Sequence, residues 1–362
     1  MKDTTPAPVL VVWDRIGDYH RARLAALEGE LPPGAVLYAD LGGADGLYGW
    51  KSESGGDRYF LLSQKPVESA DFLRRVLRFR KILRREKPRS LALSGYGRPS
   101  YVAFLLLGRI HRCRITLFAE SWYGKGGFRD RLKGAFLRLS GCRFLLSGQR
   151  ALAHFRDRLG VPGERLFIPY SVVDNRHFSA ASGGSFTERE PVFLCVARFS
   201  PEKDLTTLLE AFLSSAARRT HRLRLLGGGP EKEGLRKQAE GVAEIEFHDW
   251  VGYGELPGHY GRARFFVLPS RFEPWGLVVN EAMAAALPVV LSDACGCAPD
   301  LARKENGEVF PSGDVDALRD ILDRMAALPA EEWSRRSHAS RAIVEEYSCG
   351  EWARNLCRSL RE

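Results

Sequence analysis

The stretch PSRFEPWGLVVNEAMAAALPVVLSD, residues 269–293, decides the fold. It has the pattern of a buried strand that ends at Ser270, a turn that contains Glu273 and Gly276, a helix that contains Glu281, and a second apolar strand. Strands and helices that alternate in this way are typical of parallel α/β architecture. The stretch therefore predicts a doubly wound sheet with polar side chains at the carboxyl ends of its strands.

Apolar runs of strand type alternate with helically spaced segments along the whole chain. The runs are 9–14, 91–95, 115–120, 144–148 and 165–170 in the first half, and 192–197, 223–227, 245–249, 265–270 and 288–293 in the second. The Ser/Gly-rich segment SAASGGSFTERE, residues 179–190, has no periodicity and reads as a linker. We therefore expect one domain over 1–178, a second over 191–345 and a final helix over 346–362.

Composition limits the class of protein. The 362 residues are 44% hydrophobic and 27% charged, which suits two globular domains and excludes disorder and collagen. No apolar run reaches the roughly 18–20 residues of a membrane span, and the N-terminus lacks the pattern of a signal peptide. The seven cysteines form no CxxC pair, so we expect reduced thiols and no metal site. Together with the missing signal-peptide pattern, this favours a cytoplasmic location.

Glu273 and Glu281 have the spacing E-x7-E across the turn and the helix. Two carboxylates placed in this way suit hydrogen bonds to two sets of hydroxyl groups on one extended ligand. Between them, the backbone N–H groups of Gly276, Leu277 and Val278 at a helix N-terminus form an anion site. The alternative is that both carboxylates simply face solvent.

The segment VARFSPEKDLTTLLEAF, residues 196–212, predicts a helix with Ser200 as its N-cap. Arg198 then lies at the end of a strand and Lys203 in the first helical turn, where cations oppose the helix dipole unless an anion neutralises them. A diphosphate fits this requirement, with Arg198 making bidentate contact and Lys203 acting as a point charge. The alternative is two solvated cations.

Glycines follow the next predicted strand in LRLLGGGPEKE, residues 223–233. Gly228 and Gly229 allow close approach of a ligand, or they only form a tight turn. The chain has neither the GxGxxG dinucleotide fingerprint nor a GxxxxGK[ST] loop, so hydride transfer and P-loop phosphoryl transfer lose support.

Together these motifs resemble the retaining, nucleotide-sugar-dependent glycosyltransferases of family four, which have the GT-B fold of two facing Rossmann-like domains. The resemblance is close over about residues 140–320 and looser before them. Further segments that resemble the family are SGQRALAHFRDRLGVPGERLFIPYSVVD and ELPGHYGRARFFVLPSRFEPWG. It implies that Arg198 and Lys203 hold the donor diphosphate, that Glu273 binds the donor sugar and that Glu281 binds the ribose. It also implies that the final helix crosses back to the first domain.

The first half departs from the family pattern. Where many relatives have a Gly-Gly loop after the first strand, this chain offers only Gly17, in DRIGDYHRARL. Where many have a His after the strand at 115–120, it has FAESWYG, so Glu120 or Ser121 occupies that position. His20 is a second candidate for acceptor contact, and its alternative is a helix-capping or surface histidine.

The resemblance implies transfer of a sugar from a nucleotide-diphosphate sugar to an acceptor hydroxyl, with no covalent intermediate and no metal. The departing phosphate then takes the acceptor proton, and positive groups stabilise the leaving group. We expect a UDP-sugar as donor and a lipid-linked or cell-envelope glycan as acceptor. The alternatives are a degenerate GT-B protein that binds a glycan or a partner without turnover, and a nucleotide-sugar epimerase.

The net charge of +9 is unevenly distributed. Residues 1–180 hold 31 basic and 17 acidic side chains, residues 181–362 hold 23 and 28, and residues 74–143 alone hold 19 and 3. Residues 71–87 place Arg and Lys around an apolar stripe, as helices at the inner face of a membrane do. The alternatives are a solvated face or a site for an anionic soluble acceptor, whereas nucleic acid is disfavoured because no binding motif occurs.

Overall fold

The computed structural model describes residues 8–43, 56–124, 127–181 and 184–361. The chain forms two compact units, one made of residues up to 172 together with those from 349 onward, and one made of residues 173–348. Each unit is built on one parallel sheet with helical connections, so the predicted doubly wound α/β class is confirmed. None of the helices in the described ranges has the length and apolar character needed to cross a membrane.

The first unit has a seven-stranded sheet. Its strands are β1 (Val9–Trp13), β2 (Val36–Asp40), β3 (Tyr59–Leu61), β4 (Ser90–Leu93), β5 (Arg114–Ala119), β6 (Arg143–Leu146) and β7 (Leu166–Phe167). Its helices up to this point are α1 (Asp18–Glu30), α2 (Phe72–Glu86), α3 (Pro99–Ile110), α4 (Phe128–Leu139) and α5 (Gln149–Ala153). The strands lie in the order β3-β2-β1-β4-β5-β6-β7. Because crossovers are right-handed, α1 covers one face of the sheet, and α2, α3 and α4 cover the other.

Helix α2 belongs to the core of the first unit. The ring of Phe79 stacks on Phe104 of α3 with centroids 4.0 Å apart. Ile82 and Leu83 are also buried. The apolar stripe predicted to face lipid within 71–87 therefore packs against α3, and only Arg, Lys and a few apolar side chains of this helix reach the surface.

The second unit has a six-stranded sheet. Its strands are β8 (Val192–Arg198), β9 (Arg222–Gly228), β10 (Ile245–His248), β11 (Phe265–Leu268), β12 (Val289–Ser292) and β13 (Gly307–Phe310). Its helices are α6 (Asn175–Ser179), α7 (Leu205–Ser214), α8 (Lys232–Gln238), α9 (Leu256–Arg262), α10 (Leu277–Ala284), α11 (Ala298–Leu301), α12 (Val315–Ala326) and α13 (Ala330–Glu345). The strands lie in the order β10-β9-β8-β11-β12-β13, with β8 and β11 at the centre.

The segment 179–190, predicted to be a linker, lies within the second unit. The guanidinium of Arg189 is buried and donates to the carbonyl oxygens of Ala263 and Ala285, at 3.0 and 2.9 Å. These carbonyls follow α9 and α10, where backbone acceptors lack helical partners. The structure divides the two units between residues 172 and 173, whereas the sequence predicted the first domain to end at residue 178.

Helix α14 (Cys349–Arg361) returns the chain to the first unit. Trp352 is fully buried and stacks on Trp13 of β1 with ring centroids 6.1 Å apart. The Arg114 guanidinium donates to the carbonyl oxygen of Leu360 at 2.9 Å. The final helix begins at residue 349 rather than at 346, and it packs on the first sheet.

Candidate functional site

The carboxyl ends of neighbouring strands in the second sheet carry the residues predicted to bind the donor. Strand β8 ends at Arg198, β9 ends at Gly228, and the turn that contains Glu273 follows β11. Arg198 and Gly228 are partners in the β8–β9 register. Because these strands are parallel, their carboxyl ends share one edge of the sheet.

Lys203 and Glu273 are in direct contact at this edge. The ammonium group of Lys203 donates to Oε2 of Glu273. The two side chains are only 19% and 10% exposed. The sequence predicted both residues as ligand-binding groups but did not predict that they form an ion pair.

Backbone and side-chain bonds fasten the two loops that carry this pair. The backbone N–H groups of Arg271 and Phe272 donate to the carbonyl oxygen of Glu202, at 2.9 and 3.2 Å. The Arg271 guanidinium also pairs with Asp204, with Nε 2.8 Å from Oδ2. The residues that flank Lys203 thus bind the residues that precede Glu273, and this holds the ion pair in place.

Helix α7 begins later than the sequence predicts. Residues Pro201–Lys203 form a short 3-10 turn, and Asp204 adopts a left-handed backbone with φ of 49° before Leu205 starts the helix. The Ser200 hydroxyl donates to Glu202 Oε1 at 2.6 Å instead of capping the helix. Asp tolerates the left-handed region better than most residues, so it can turn the chain here. Lys203 is therefore positioned by a loop and not by the first turn of α7.

Gly276 precedes α10 in a conformation that suits glycine. Its φ is 101°, and a Cβ atom at this position would lie 3.2 Å from Cγ of Glu273. Leu277 and Val278 then begin the helix, where the first backbone N–H groups have no intrahelical acceptor. These N–H groups belong to residues that follow Glu273 closely in the sequence.

Glu281 lies in the interior rather than at an open surface. The residue is 1% exposed. The hydroxyl of Tyr260, on α9, donates to its Oε2 atom at 2.6 Å. Tyr260 was not predicted from the sequence, because nothing in the spacing of α9 and α10 indicates that these two side chains meet.

The glycine run after β9 mainly allows two backbones to approach. A Cβ atom on Gly227 would lie 2.0 Å from the carbonyl oxygen of Ala197, and one on Gly229 would lie 2.4 Å from that of Phe199. Close packing against the backbone of Phe199 therefore requires glycine at position 229. The added Cβ on Gly228 would meet only the exposed Trp250, 3.4 Å away, so Gly228 stays a candidate for ligand contact.

His20 of the first unit caps a helix. Its Nδ1 atom accepts a hydrogen bond from the backbone N–H of Gly17 at 3.1 Å, at the start of α1. Burial, with the charge of Arg23 adding to it, holds the pKa of His20 well below its ordinary value. The helix-capping interpretation thus explains both His20 and the position of Gly17, and the imidazole stays neutral at neutral pH.

Glu120 lines a cavity of about 390 Å³ at the carboxyl ends of β4 and β5. Tyr96, Lys133 and Tyr170 line the same cavity. The Ser171 hydroxyl donates to Glu120 Oε1 at 2.8 Å, which orients the carboxylate. The structure therefore places both Glu120 and Ser121, the two residues predicted for this position, at one cavity.

Asp14 is a polar residue at the same sheet edge that the sequence analysis did not select. It follows β1 directly, and its Oδ1 atom accepts a hydrogen bond from the Tyr101 hydroxyl at 2.8 Å. Its Oδ2 atom pairs with Arg98 at 3.0 Å. Asp14 could have been identified from its position directly after the apolar run VLVVW, since ligands bind such sheets at the carboxyl ends of the strands.

Residues 181–342 match the family model described as glycosyl transferases group 1. Within this segment the chain is similar to the group 1 glycosyltransferases. Every donor-side candidate, from Arg198 to Glu281, lies inside the matched segment. The acceptor-side candidates Gly17, His20 and Glu120 lie outside it.

Two curated glycosyltransferases are similar to part of this chain. The GDP-mannose-dependent alpha-(1-6)-phosphatidylinositol monomannoside mannosyltransferase of Mycobacterium tuberculosis is 34% identical over 164 residues, which cover 40% of this chain and 42% of the relative. Sulfoquinovosyl transferase SQD2 of Arabidopsis thaliana is 31% identical over 180 residues, covering 45% of this chain and 34% of the relative. The alignments therefore span less than half of these proteins.

The chain has the GT-B fold. The Anabaena protein Alr3699/HepE, solved in complex with UDP, superposes with a TM-score of 0.75 over 98% of this chain and 99% of its own, at 15% sequence identity. At that identity the likeness concerns the fold alone. It extends through both units, including the first, which lies outside the family match.

Proposed function

We propose that the protein transfers a sugar from a nucleotide-diphosphate sugar to an acceptor hydroxyl with retention of the anomeric configuration. One observation carries the proposal: Lys203 and Glu273 are in contact at the carboxyl edge of the second sheet. A cation and a carboxylate side by side suit a ligand that has a phosphate next to a sugar hydroxyl. This is the junction at which such a donor is cleaved.

Arg198 and Lys203 would bind the diphosphate. Arg198 is exposed and makes no side-chain hydrogen bond or ion pair within the described part of the chain. Its planar guanidinium can make two parallel bonds to phosphate oxygens, and Lys203 adds a compact charge. The N–H groups of Leu277 and Val278 would add contacts at the start of α10.

Glu273 would accept hydrogen bonds from the hydroxyl groups of the donor sugar, and Glu281 would bind the ribose. The Tyr260 hydroxyl donates to Oε2 of Glu281. In this arrangement Tyr260 is a positioning residue that fixes the orientation of the carboxylate.

The bond between the anomeric carbon and the diphosphate oxygen would break as the bond to the acceptor oxygen forms on the same face of the sugar. The acceptor proton would pass to the departing phosphate oxygen, so no separate strong base is required. Arg198, Lys203 and the α10 N-terminus would stabilise the charge that develops on the leaving group. This distribution of charge is why we propose a reaction that needs no metal.

We propose UDP as the nucleoside diphosphate to test first and GDP as the second. The Anabaena structure contains UDP, whereas the mycobacterial relative is GDP-mannose-dependent. For the acceptor we propose a lipid-linked or cell-envelope glycan at the inner face of the membrane, with Glu120 and its cavity on the acceptor side. The mycobacterial relative acts on a phosphatidylinositol monomannoside, which supports this choice.

Release of nucleoside diphosphate from a panel of UDP- and GDP-sugars, with and without EDTA, tests the proposal. The wild-type chain and the Lys237→Ala control, which changes an exposed lysine of α8, should consume one donor at equal rates. Lys203→Ala should be slower by about 10²-fold, as for loss of a group that stabilises transition-state charge. Absence of turnover with every donor, including slow hydrolysis, would favour a degenerate binding protein and contradict the proposal.

A further inference from the structure

Two cavities flank the C-terminal end of α3 in the first unit. The first, of about 410 Å³, is lined by Arg84, Lys87, Arg89, His111 and Arg112, together with Leu83 and Pro88. The second, of about 520 Å³, is lined mainly by Leu105, Leu106, Arg109, Phe136 and Leu139. We call them the basic cavity and the apolar groove. The apolar groove includes residues of α3, and the basic cavity includes His111 and Arg112, which directly follow α3. Neither cavity contains a residue of the candidate donor site.

The basic cavity concentrates positive charge without balancing carboxylates. Arg84, Lys87, Arg89 and Arg112 are exposed, and in the ranges that the structure describes none of their side chains forms an ion pair. The nearest acidic residue in sequence, Glu86, is already paired with Arg85 at 2.9 Å. An unbalanced cluster of this kind attracts phosphate groups.

The apolar groove exposes large side chains that the fold does not use. Leu106 is 56% exposed, Leu139 is 88% exposed, and Ile110, next to the groove on α3, is 75% exposed. Phe128 and Leu132 continue the exposed apolar row along α4, because residues four apart share one face of a helix. A contiguous exposed apolar surface marks an interaction site.

The neighbouring positions of the two cavities identify the partner. Phosphate could bind in the basic cavity but not in the apolar groove. An apolar protein surface could pack against the groove but would not neutralise the basic cavity. An anionic phospholipid bilayer satisfies both, since it offers phosphate headgroups beside acyl chains. We propose that this end of α3 docks on an anionic bilayer, with lipid phosphates in the basic cavity and Leu106, Ile110 and Leu139 inserted among the acyl chains.

The inference rests on the proposed membrane location of the acceptor and specifies the surface involved. This surface differs from the one predicted on α2, because Phe79, Ile82 and Leu83 of the apolar stripe of α2 lie in the core. Because all the residues involved lie outside the candidate donor site, docking and donor cleavage can be changed independently.

Co-sedimentation of the full chain with vesicles tests the inference. Vesicles of phosphatidylcholine with phosphatidylglycerol should bind the wild-type chain, and pure phosphatidylcholine should not. A variant with Arg84, Lys87, Arg89 and Arg112 changed to Ala should bind at least tenfold more weakly. A charge-matched control changes four exposed cations of the second unit to Ala, namely Arg219, Lys237, Lys304 and Arg341, and should bind as the wild type does.

A second variant, with Leu106, Ile110 and Leu139 changed to Ser, tests insertion. These side chains are exposed, so the variant should keep its fold, and its vesicle binding should become fully reversible by 0.5 M NaCl, unlike that of the wild type. Unchanged binding of either variant, or equal loss in the charge-matched control, would overturn the inference. So would binding that 10 mM inorganic phosphate abolishes and that the Ser variant leaves intact, since this indicates a free-phosphate site.

Donor hydrolysis measured on the same proteins separates this inference from the proposed function. Both docking variants should hydrolyse the donor at the wild-type rate in the absence of vesicles. If hydrolysis occurs without vesicle binding, only the docking inference fails. If vesicles bind but no donor is consumed, only the proposed function fails.

Discussion

The ammonium group of Lys203 lies against Oε2 of Glu273, although 70 residues separate the two positions in the sequence. In the protein without substrate, each group therefore neutralises the charge of the other. A donor that places a phosphate near Lys203 and a sugar hydroxyl near Glu273 would share or replace this contact. Under the proposed function, donor binding would therefore change the charge balance of this pair.

Changing Glu273 to Gln should separate sugar binding from phosphate binding. The side chain keeps its shape but loses the charge that pairs with Lys203. Donor turnover should fall by about 10- to 100-fold, because hydrogen bonds to charged groups contribute about 1.5–3 kcal/mol. Affinity for the nucleoside diphosphate alone should stay equal or increase, since Lys203 is released for phosphate. Steady-state kinetics and calorimetric titration measure the two effects, and a loss of diphosphate affinity without any loss of turnover would refute the assigned roles.

Changing Arg198 to Lys should reveal bidentate phosphate contact. Lysine keeps the charge but cannot offer two parallel N–H donors. The dissociation constant for the nucleoside diphosphate should therefore rise about tenfold, which corresponds to about 1.4 kcal/mol. The constant for the nucleoside monophosphate should change much less. Equal changes for both nucleotides would show that Arg198 does not contact the second phosphate.

The pairing of Arg271 with Asp204 should contribute to stability and to catalysis. Arg271 is 61% exposed, whereas Asp204 is 6% exposed, so Arg271→Ala leaves a buried carboxylate short of one partner. Thr207 still donates to that carboxylate at 2.7 Å, so the loss should be moderate. We expect the free energy of unfolding to fall by about 1 kcal/mol in urea titration. Turnover should fall as well, with partial recovery in Arg271→Lys, whereas a purely structural role would leave the turnover of folded protein unchanged.

Asp40 should make stability depend on pH in the first unit. Burial raises the pKa of this carboxyl to about 6, although it accepts hydrogen bonds from the Tyr59 hydroxyl and the Ile16 backbone N–H. The folded state therefore binds the proton more tightly than the unfolded state, so this group's contribution to stability falls as the pH rises from about 4 to about 6. A shift of this size corresponds to roughly 2–3 kcal/mol.

The comparison of wild type with Asp40→Asn, by urea unfolding between pH 4 and pH 8, measures this contribution. The variant has no titrating group at this position, so its stability relative to wild type should increase as the pH rises and level off above pH 7. A difference between the two proteins that does not change with pH would show that Asp40 does not titrate in this range.

The strands of the second unit were predictable because apolar runs and turn residues alternate there in a regular way. All five predicted strand positions of that half contain a strand, and only Gly307–Phe310 was missed. In the first unit, Val36–Asp40 and Tyr59–Leu61 were missed. Tyr59–Leu61 is a three-residue strand at the edge of the sheet, and it carries too little apolar pattern to be recognised.

The positions of Arg198, Gly228 and Glu273 at or after strand ends were predictable, because apolar runs end there in the sequence. Their individual surroundings were not predictable, because these depend on contacts between distant segments. The left-handed Asp204 delays α7, and the buried Tyr260 hydroxyl binds Glu281 across two helices. Local spacing contains no information about either contact.

Calorimetric titration of three proteins with UDP and GDP tests whether the Lys203–Glu273 edge binds a nucleoside diphosphate. The proteins are the wild type, Lys203→Ala and the exposed-lysine control Lys237→Ala. We expect one diphosphate to bind the wild type and the control with equal affinity and to bind Lys203→Ala at least tenfold more weakly. Equal affinity in all three proteins, or no binding of either nucleotide to the wild type, would contradict this expectation.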